Sequence, residues 1–342
     1  MSQTHNELNL LESYPPDFLN QNTKDDETLE QEEEVAENDP LLPVIDLENL
    51  SLENLREACK NWGLFRLVNH GIPLTLLTQL EDQSKIIFSQ PFDSKKELKS
   101  SPLSYFWGTP ALTRTGTAVS GPKNINRVEG FNVPLSQLSL FQSLDPTLYS
   151  FRLLLEEYGK HVGRIATTIF KAMLETLNLN PDKQHPNTSY LSESTGFLRV
   201  YRYPQTSMAE TNWGMKAHTD SSVLSILSQE QMEVGAGGLQ LLKDDKWLDI
   251  PPLPHTLVLN LGDMMQVISD DAYKSATHRV KANKRQDRYS ICYFVFPDDQ
   301  TVISSSNYKP FTYGDFRDQV QEDIKTLGFK VGLDRFKLAD HD

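Results

Sequence analysis

The chain has few cysteines and no long hydrophobic segment. Its 342 residues include only Cys59 and Cys292, too few for a disulfide scaffold and consistent with a reducing compartment. No stretch approaches the roughly 18 apolar residues that a membrane helix needs, and the N-terminus has no basic segment followed by an apolar run. From these absences we expect a soluble cytoplasmic protein without a membrane segment, and we take a monomer as its expected state.

Basic residues are also scarce, and the acidic excess is concentrated at one end. The chain carries 33 Lys and Arg against 47 Asp and Glu, a net charge of -14. Residues 1–40 hold 12 of those acids and only one lysine, so the other 302 residues carry about three net negative charges. A body this mildly acidic does not fit a nucleic-acid surface, and we expect no nucleic-acid partner.

The first 40 residues are polar, acidic and almost free of aromatic side chains. Such a composition buries too little apolar surface to offset the entropy lost on ordering. We therefore predict that residues 1–40 form a disordered acidic tail. An acidic docking segment is the alternative interpretation.

Capping signals in residues 41–180 predict an N-terminal region of helices with a few strands. Ser51 is the predicted N-cap of a helix that ends near Trp62, and Pro73 opens a second helix. Asp145 caps a predicted helix of about thirty residues, whose apolar side chains recur at helical spacing. Its apolar stripe is expected to pack against a sheet.

From Phe197 onward the pattern changes to short apolar strands separated by Gly-rich and Asp-rich turns. Regular short strands of this kind predict a double-sheet jelly roll. An amphipathic helix near the C-terminus is predicted to cover the barrel, because its apolar residues share one face. The predicted fold is thus mainly β with flanking helices: a double-stranded β-helix core at residues 181–342 after a helical N-terminal region.

Two histidines and one aspartate form a candidate metal site. His218 and Asp220 point to the same side if their segment is extended, since strand side chains alternate. His278 follows after enough residues for several antiparallel strands to return the chain to the same place. Two imidazoles and one carboxylate, with the other positions open, are the facial triad of non-haem Fe(II) oxygenases.

A candidate carboxylate clamp follows the last of these histidines. Arg288 and Ser290 share a strand face, and the planar guanidinium offers paired donors that match two carboxylate oxygens at any working pH. An iron triad followed by such a clamp implies a dicarboxylate co-substrate. One end would chelate the metal while Arg288 and Ser290 hold the other.

These motifs resemble a known family. HTD at 218–220, His278 and RYS at 288–290 resemble the HxD…H…RxS pattern of plant 2-oxoglutarate and Fe(II)-dependent dioxygenases. WGLFRLVNHG at 62–71 is similar to their N-terminal region, and the resemblance covers roughly residues 41–337. It implies Fe(II), 2-oxoglutarate and O2 as cofactors and co-substrates, with ascorbate as reductant.

One position departs from the family pattern beside the clamp. The family places an Asn-x-Tyr pattern where this chain has Tyr201 and Tyr203, so the asparagine is replaced. The resemblance implies that the hydroxyl of Tyr203 helps to hold the co-substrate. No role is carried over to Tyr201.

Residues 100–135 are the predicted wall of a substrate pocket. They are too irregular for a regular element, yet too aromatic for a solvated linker. SYFWGTP at 104–110, EGFNVP at 129–134 and the segment 315–336 resemble gibberellin 2-oxidases, particularly the group acting on C20 gibberellins. Because gibberellins are apolar diterpenoid acids, the predicted pocket combines aromatic walls with one basic group. These candidates are Tyr105, Trp107 and Phe131 with Arg114 or Arg127.

The resemblance predicts oxidation of a gibberellin, such as the C20 precursor GA12, at C2 or another ring carbon, which would lower or alter hormone activity. Three alternatives stay open. Trp107 and Phe131 would, in one of them, only pack the N-terminal helices onto the barrel. In the others, the enzyme acts on a flavonoid or another specialised metabolite, or the protein only binds a small molecule.

Overall fold

Two β-sheets with flanking helices form the fold. The computed structural model describes residues 11–19, 42–98, 102–108, 111–112, 118–119, 126–143, 145–179, 190–191, 196–206, 213–230, 237–327 and 329–338. Its strands are β1 (Val44–Asp46), β2 (Leu64–Val68), β3 (Ser104–Trp107), β4 (Ala111–Leu112), β5 (Ala118–Val119), β6 (Glu129–Pro134), β7 (Phe197–Tyr203), β8 (Trp213–His218), β9 (Leu224–Gln229), β10 (Leu239–Lys243), β11 (Lys246–Asp249), β12 (Leu257–Leu261), β13 (His278–Lys281), β14 (Arg288–Val295), β15 (Val302–Ser305) and β16 (Tyr308–Thr312).

The helices begin where the sequence places capping residues. Ser51 Oγ accepts a hydrogen bond from the Asn54 amide, and Asp145 accepts from the amides of Thr147 and Leu148, as predicted. The described helices are α1 (Pro16–Leu19), α2 (Leu52–Asn61), α3 (Leu74–Phe88), α4 (Phe92–Lys96), α5 (Leu135–Leu138), α6 (Pro146–Thr176), α7 (Asp263–Ile268) and α8 (Tyr313–Leu327). A membrane-crossing helix is not found among them, because none combines the necessary length and apolarity.

The two sheets build the predicted jelly roll. The larger sheet has the order β1-β2-β12-β9-β14-β7-β6-β3, and the smaller has the order β11-β10-β13-β8. Most neighbouring strands are distant in sequence and antiparallel, the arrangement of a double-stranded β-helix. Strands from before and after residue 180 share the larger sheet, and the predicted division of the chain into regions stays a prediction.

The prediction that residues 100–135 contain no regular element was wrong. Strands β3 and β6 pair with each other, and β6 pairs with β7 at the edge of the larger sheet. Gly130 makes this pairing possible, because a Cβ there would lie 2.6 Å from both a ring atom of Phe106 and the carbonyl oxygen of Val200. Strand formation here depends on this close approach of distant segments.

The predicted disordered tail also needs correction, at residues 11–19. Ser13, Tyr14 and Phe18 are buried against the body of the protein. The amide-rich, acidic composition of residues 1–40 predicted no such packing. The physical reason for the packing is a set of buried charges on the body, which this segment contacts.

These charges are Lys95, Glu129 and Arg202, all of which are buried. Glu129 forms ion pairs with Lys95 and Arg202. Lys95 Nζ donates to the carbonyl oxygen of Ser13 at 2.7 Å, and Arg202 donates to the carbonyl and hydroxyl oxygens of Ser13 at 3.1 and 3.0 Å. The ring of Tyr14 lies 4.5 Å from the Arg202 guanidinium carbon. The segment therefore supplies acceptors to cations that are excluded from water.

Truncation tests this contribution to stability. Removing residues 1–19 is expected to lower the free energy of unfolding by at least about 3 kcal/mol relative to removing residues 1–10, since two aromatic side chains and the acceptors for two buried cations are lost. Tyr14→Phe, which loses only the hydroxyl donated to Asp287 at 2.9 Å, should cost about 1 kcal/mol. Urea unfolding measures both values. Equal stability of the two truncated proteins would contradict a stabilising role for residues 11–19.

Candidate metal and co-substrate site

Two of the candidate ligands face each other on neighbouring strands of the smaller sheet. Strand β8 ends at His218 and β13 begins at His278, and the two residues are paired in the antiparallel ladder with their ring centroids 4.3 Å apart. Asp220 follows in a loop, not on a strand as predicted. The structure nevertheless brings all three side chains together.

Asp220 is held in place from the larger sheet. Its Oδ2 accepts hydrogen bonds from Ser225 Oγ on β9 at 2.6 Å and from Asn260 Nδ2 on β12 at 2.7 Å. These two donors leave Oδ1 directed at the histidines, with 3.8 Å to the Nε2 atom of each ring. The carboxylate thus spans the space between the two sheets in one fixed orientation.

Backbone carbonyls fix the tautomer of both imidazoles. Nδ1 of His218 lies 2.7 Å from the carbonyl oxygen of Lys216, and Nδ1 of His278 lies 3.0 Å from that of Ala276. A carbonyl oxygen can only accept, so each Nδ1 carries the proton and donates it. Each Nε2 therefore presents its lone pair toward Asp220, which is the arrangement that a metal ligand needs.

This donor set fits a single first-row metal ion. One ligand atom from each of the three residues lies within 4.8 Å of the others, and no second cluster of this kind occurs among the described histidine, cysteine and acidic residues. A bond from such an ion to nitrogen or oxygen is about 2.0–2.2 Å long. An ion between an imidazole and the carboxylate can reach both. Two imidazoles and one carboxylate match a non-haem iron(II) site.

The protonation states favour cation binding. Burial and the neighbouring imidazole of His278 lower the pKa of His218 to about 4, so this ring is neutral near pH 7. Burial alone would raise the pKa of the Asp220 carboxyl, but the two imidazoles and the hydrogen bonds from Ser225 and Asn260 lower it below its ordinary value. A neutral imidazole and an ionised carboxylate are both competent metal ligands.

The predicted clamp residues lie together on adjacent strands of the larger sheet. Arg288 and Ser290 share the cavity side of β14, and Arg288 is paired with Tyr203 on β7. The buried guanidinium donates to Gln229 Oε1 at 2.8 Å and to Ser290 Oγ at 3.4 Å, and its carbon lies 4.9 Å from the centroid of the Tyr203 ring. Burial raises the pKa of Tyr203 to about 12, so its hydroxyl remains a donor.

Arg288 forms no ion pair or hydrogen bond with an acidic side chain in the described part of the chain, and the Glu230 carboxylate, which acts on its charge from farther away, is paired with Lys85. Its side-chain contacts are to a carboxamide, a hydroxyl and a phenol, all of which are neutral. A buried cation without a counter-ion is costly, and an incoming carboxylate would offset that cost. Arg288 is therefore suited to bind an anion.

Strand register sets the separation between the metal ligands and the clamp. On β9, Ser225 supports Asp220 and Gln229 supports Arg288. Four residues along a strand span roughly 13 Å. The Arg288 side chain and a five-carbon diacid can together cover that distance, so one co-substrate can reach both places.

A cavity of about 1170 Å³ contains the triad and the clamp arginine. Strands of both sheets line it, and so do residues of α8 and of the segment 329–337 that follows. The C-terminal helix thus covers the barrel as predicted. Lys330 Nζ also donates to the carbonyl oxygen of Thr219 at 2.8 Å, which connects this segment to the loop between two metal ligands.

The three predicted aromatic pocket residues lie away from this cavity. Tyr105 and Phe131 are buried and pack on each other, with ring centroids 5.4 Å apart. Phe131 also contacts Phe88 of α3, and Trp107 contacts Phe92 of α4. None of the three predicted residues lines the cavity that the described residues enclose. The alternative interpretation, in which they pack the N-terminal helices onto the barrel, agrees with these contacts.

The two basic candidates for the pocket are not found in it either. Arg127 Nη1 donates to the carbonyl oxygen of Phe18 at 2.9 Å, and its guanidinium lies over the Phe18 ring. This contact ties Arg127 to the N-terminal segment and leaves it off the cavity lining. Arg114 lies outside the described residues.

Several supporting residues were missed by sequence reasoning. Gln229 orients Arg288, while Ser225 and Asn260 orient Asp220. One signal was available, because Ser225 and Asn260 are polar side chains inside short apolar strands, where an unbonded polar group would be costly. This signal predicts that Ser225 and Asn260 are hydrogen-bonded. It does not identify Asp220 as their partner, because Asn260 in particular is distant from it in sequence.

Family comparisons agree with this geometry. Residues 194–297 match the model of the 2OG-Fe(II) oxygenase superfamily, and residues 42–137 match the N-terminal model described as non-haem dioxygenase in morphine synthesis. The first match contains the three candidate ligands and the clamp. The second covers the N-terminal region up to α5.

Individual relatives are found among both sequences and solved structures. The chain is 36% identical to gibberellin 2-beta-dioxygenase 8 of Arabidopsis thaliana, over 86% of each chain, and 34% identical to gibberellin 2-beta-dioxygenase 6 of Oryza sativa, over 86% of this chain and 84% of that one. The crystal structure of JOX2 in complex with 2OG, Fe and JA superposes with a TM-score of 0.66 at 27% identity, over 83% of this chain and 87% of that one.

Proposed function

The chain belongs to the 2OG-Fe(II) oxygenase superfamily, and we propose that this 2-oxoglutarate- and Fe(II)-dependent dioxygenase oxidises a gibberellin. The similarity to gibberellin 2-beta-dioxygenases along most of both chains carries this proposal. A C20 gibberellin such as GA12 is the proposed substrate, and hydroxylation at C2 or another ring carbon is the proposed reaction. Such a change would lower or alter the activity of the hormone.

In this proposal the chain's own residues hold the reactants in place. His218, Asp220 and His278 would bind Fe(II), and Arg288, Ser290 and Tyr203 would bind the distal carboxylate of 2-oxoglutarate. Bound iron supplies the activation of O2 that couples decarboxylation of 2-oxoglutarate, giving succinate, to oxidation of a substrate C–H bond. No side chain needs to act as a nucleophile, because positioning and exclusion of water are the protein's contribution.

The cavity offers room and suitable surfaces for a diterpenoid. Its volume of about 1170 Å³ exceeds what the co-substrate alone requires. Phe197, Phe294 and Phe296 form an apolar wall, with the rings of Phe197 and Phe296 stacked at 5.2 Å. These three rings, and not Tyr105, Trp107 or Phe131, line the described cavity.

Turnover of purified protein tests the proposal. With Fe(II), 2-oxoglutarate, O2 and ascorbate, GA12 is expected to yield a product heavier by one oxygen atom together with an equal amount of succinate. Mass spectrometry identifies both products, and a reaction without 2-oxoglutarate is the control. Related C20 and C19 gibberellins, tested in parallel, define the substrate range.

The other outcomes separate the alternatives. A product oxidised away from C2 changes the position of the reaction and keeps the substrate class. Succinate coupled to a flavonoid or another specialised metabolite, with no gibberellin turned over, would replace the proposed substrate. Absence of succinate with every compound would favour a protein that only binds its ligand.

A further inference from the structure

Arg199 lies on the cavity wall without an acidic partner in the described residues. It is half-buried on β7, and it lines the same cavity as the triad. Its Nε donates to Asn132 Oδ1 at 2.8 Å, and its Nη1 donates to the Tyr201 hydroxyl at 3.4 Å. Both partners are neutral, so they orient the guanidinium and leave its charge uncompensated.

Most other cations that line this cavity are already paired. Arg317 binds Asp299 at 2.6 Å, and Lys330 binds Asp263 at 2.6 Å. Arg288 lies in the clamp proposed for the co-substrate. Lys216 also lacks an acidic partner in the described chain, but it is exposed, and water screens its charge. Arg199 is thus the oriented, partly desolvated cation that remains for a second anion.

The surroundings of Arg199 are apolar and aromatic. Its guanidinium carbon lies 5.2 Å from the centroid of the Phe197 ring and 5.3 Å from that of the Phe294 ring. Stacking on these two rings fixes the plane of the Arg199 guanidinium. Its Nη2 atom has no hydrogen-bond partner among the described groups. A ligand that fits this surface has an apolar skeleton with a carboxylate at one edge.

Strand register places Arg199 apart from the clamp and beside the metal ligands. Arg199 is paired with Cys292, whereas Tyr203 is paired with Arg288, so four residues or roughly 13 Å separate the two arginines along the strands. In the larger sheet only β14 lies between β7, which carries Arg199, and β9. Ser225 on β9 donates a hydrogen bond to the metal-ligand candidate Asp220. Two strand spacings are about 10 Å. A molecule bound at Arg199 therefore has its skeleton near the metal.

We propose that Arg199 binds a carboxylate of the substrate, so that the cavity has two anion sites, one for the co-substrate and one for an apolar carboxylic acid. This inference deepens the proposed function, because it selects acids over neutral forms of the same skeleton. Asn132 and Tyr201 act as positioning residues for the guanidinium. Arg199 is then a specificity-determining residue.

Binding of acids and their methyl esters tests this assignment. The unmodified holoenzyme, with Fe(II) and 2-oxoglutarate under anaerobic conditions, is expected to bind GA12 about tenfold to a hundredfold more tightly than its dimethyl ester, as measured by calorimetry. Arg199→Met should lose that preference, while Arg199→Lys should keep part of it because the charge remains without the fork. The KM for 2-oxoglutarate should not change in either variant.

Three binding results would overturn the inference. They are an unmodified protein that binds acid and ester equally, an Arg199→Met variant that keeps the preference for the acid, and a matched Lys216→Met variant that loses it instead. A rise in the KM for 2-oxoglutarate in Arg199→Met would also overturn it, since the effect would then be a general distortion of the cavity.

A second probe separates this inference from the proposed substrate. Kaurenoic acid and its methyl ester, a diterpenoid pair outside the gibberellins, are measured in the same way. If no gibberellin is turned over, but an acid preference for kaurenoic acid depends on Arg199, the proposed function fails and the inference holds. If GA12 is turned over but its dimethyl ester binds equally well, the inference fails alone.

Discussion

Asp220→Asn is expected to abolish iron binding and to reduce turnover at least about a thousandfold, since the reaction has no route without the metal. Ser225 and Asn260 both donate to one oxygen of Asp220. In the variant these donors would hold the amide oxygen and direct the amide nitrogen at the two histidines. That nitrogen has no available lone pair, so an isosteric change removes the ligand without creating a cavity. Metal analysis of the purified protein and succinate formation measure the two effects.

Asp245→Asn is the matched control for this substitution. Asp245 lies exposed in the hairpin turn between β10 and β11 with φ of 61°, a conformation that asparagine also tolerates. The control should retain both iron and turnover. If Asp220→Asn retained iron at the same stoichiometry as the control, the three side chains would not be the metal site.

Local signals predicted those parts of the fold that depend on neighbouring residues. Ser51 and Asp145 cap the helices that they were expected to cap. Asp244 and Asp245 form one of the predicted Asp-rich turns between short strands, and both adopt the positive φ that short acidic residues tolerate. Each of these features is decided within a few residues of chain, which is why the sequence alone suffices.

The features that were missed depend on long-range contacts. Strands β3 and β6 form because Gly130 allows close approach to Phe106 and to β7. The packing of residues 11–19 depends on Lys95 and Arg202, which are far away in sequence. Composition describes what a segment could bury by itself. It does not show which buried charges in a distant part of the chain need hydrogen-bond acceptors from that segment.

The same distinction applies to the site. The ligand triad and the clamp follow from residue types at fixed spacing, and strand alternation correctly placed Arg288 and Ser290 on one face. Alternation from Tyr203 would also have placed Arg199 on the cavity side. The aromatic and basic pocket residues were instead chosen by composition and by resemblance to gibberellin 2-oxidases, and neither says toward which side of an edge strand a ring points. The structure places Tyr105, Trp107, Phe131 and Arg127 away from the described cavity that contains the triad.

Arg288→Met is expected to raise the KM for 2-oxoglutarate about a hundredfold or more, because the distal carboxylate loses a bidentate, charge-assisted partner in a buried site. The protein without co-substrate should be at least as stable as the unmodified protein, since a buried guanidinium without a counter-ion is replaced by an apolar side chain of similar length. Conversely, 2-oxoglutarate should no longer raise the melting temperature of the variant. Kinetics and thermal unfolding with and without 2-oxoglutarate measure these opposite effects.

Two further variants complete this test. Arg288→Lys should recover only part of the affinity, because a point charge replaces the planar fork. Arg285→Met removes an exposed arginine three residues earlier and should leave the KM for 2-oxoglutarate unchanged. A merely structural role for Arg288 would destabilise the protein without co-substrate and lower kcat and affinity together. Loss of co-substrate affinity in a protein of undiminished stability is the result that only direct binding of the distal carboxylate by Arg288 explains.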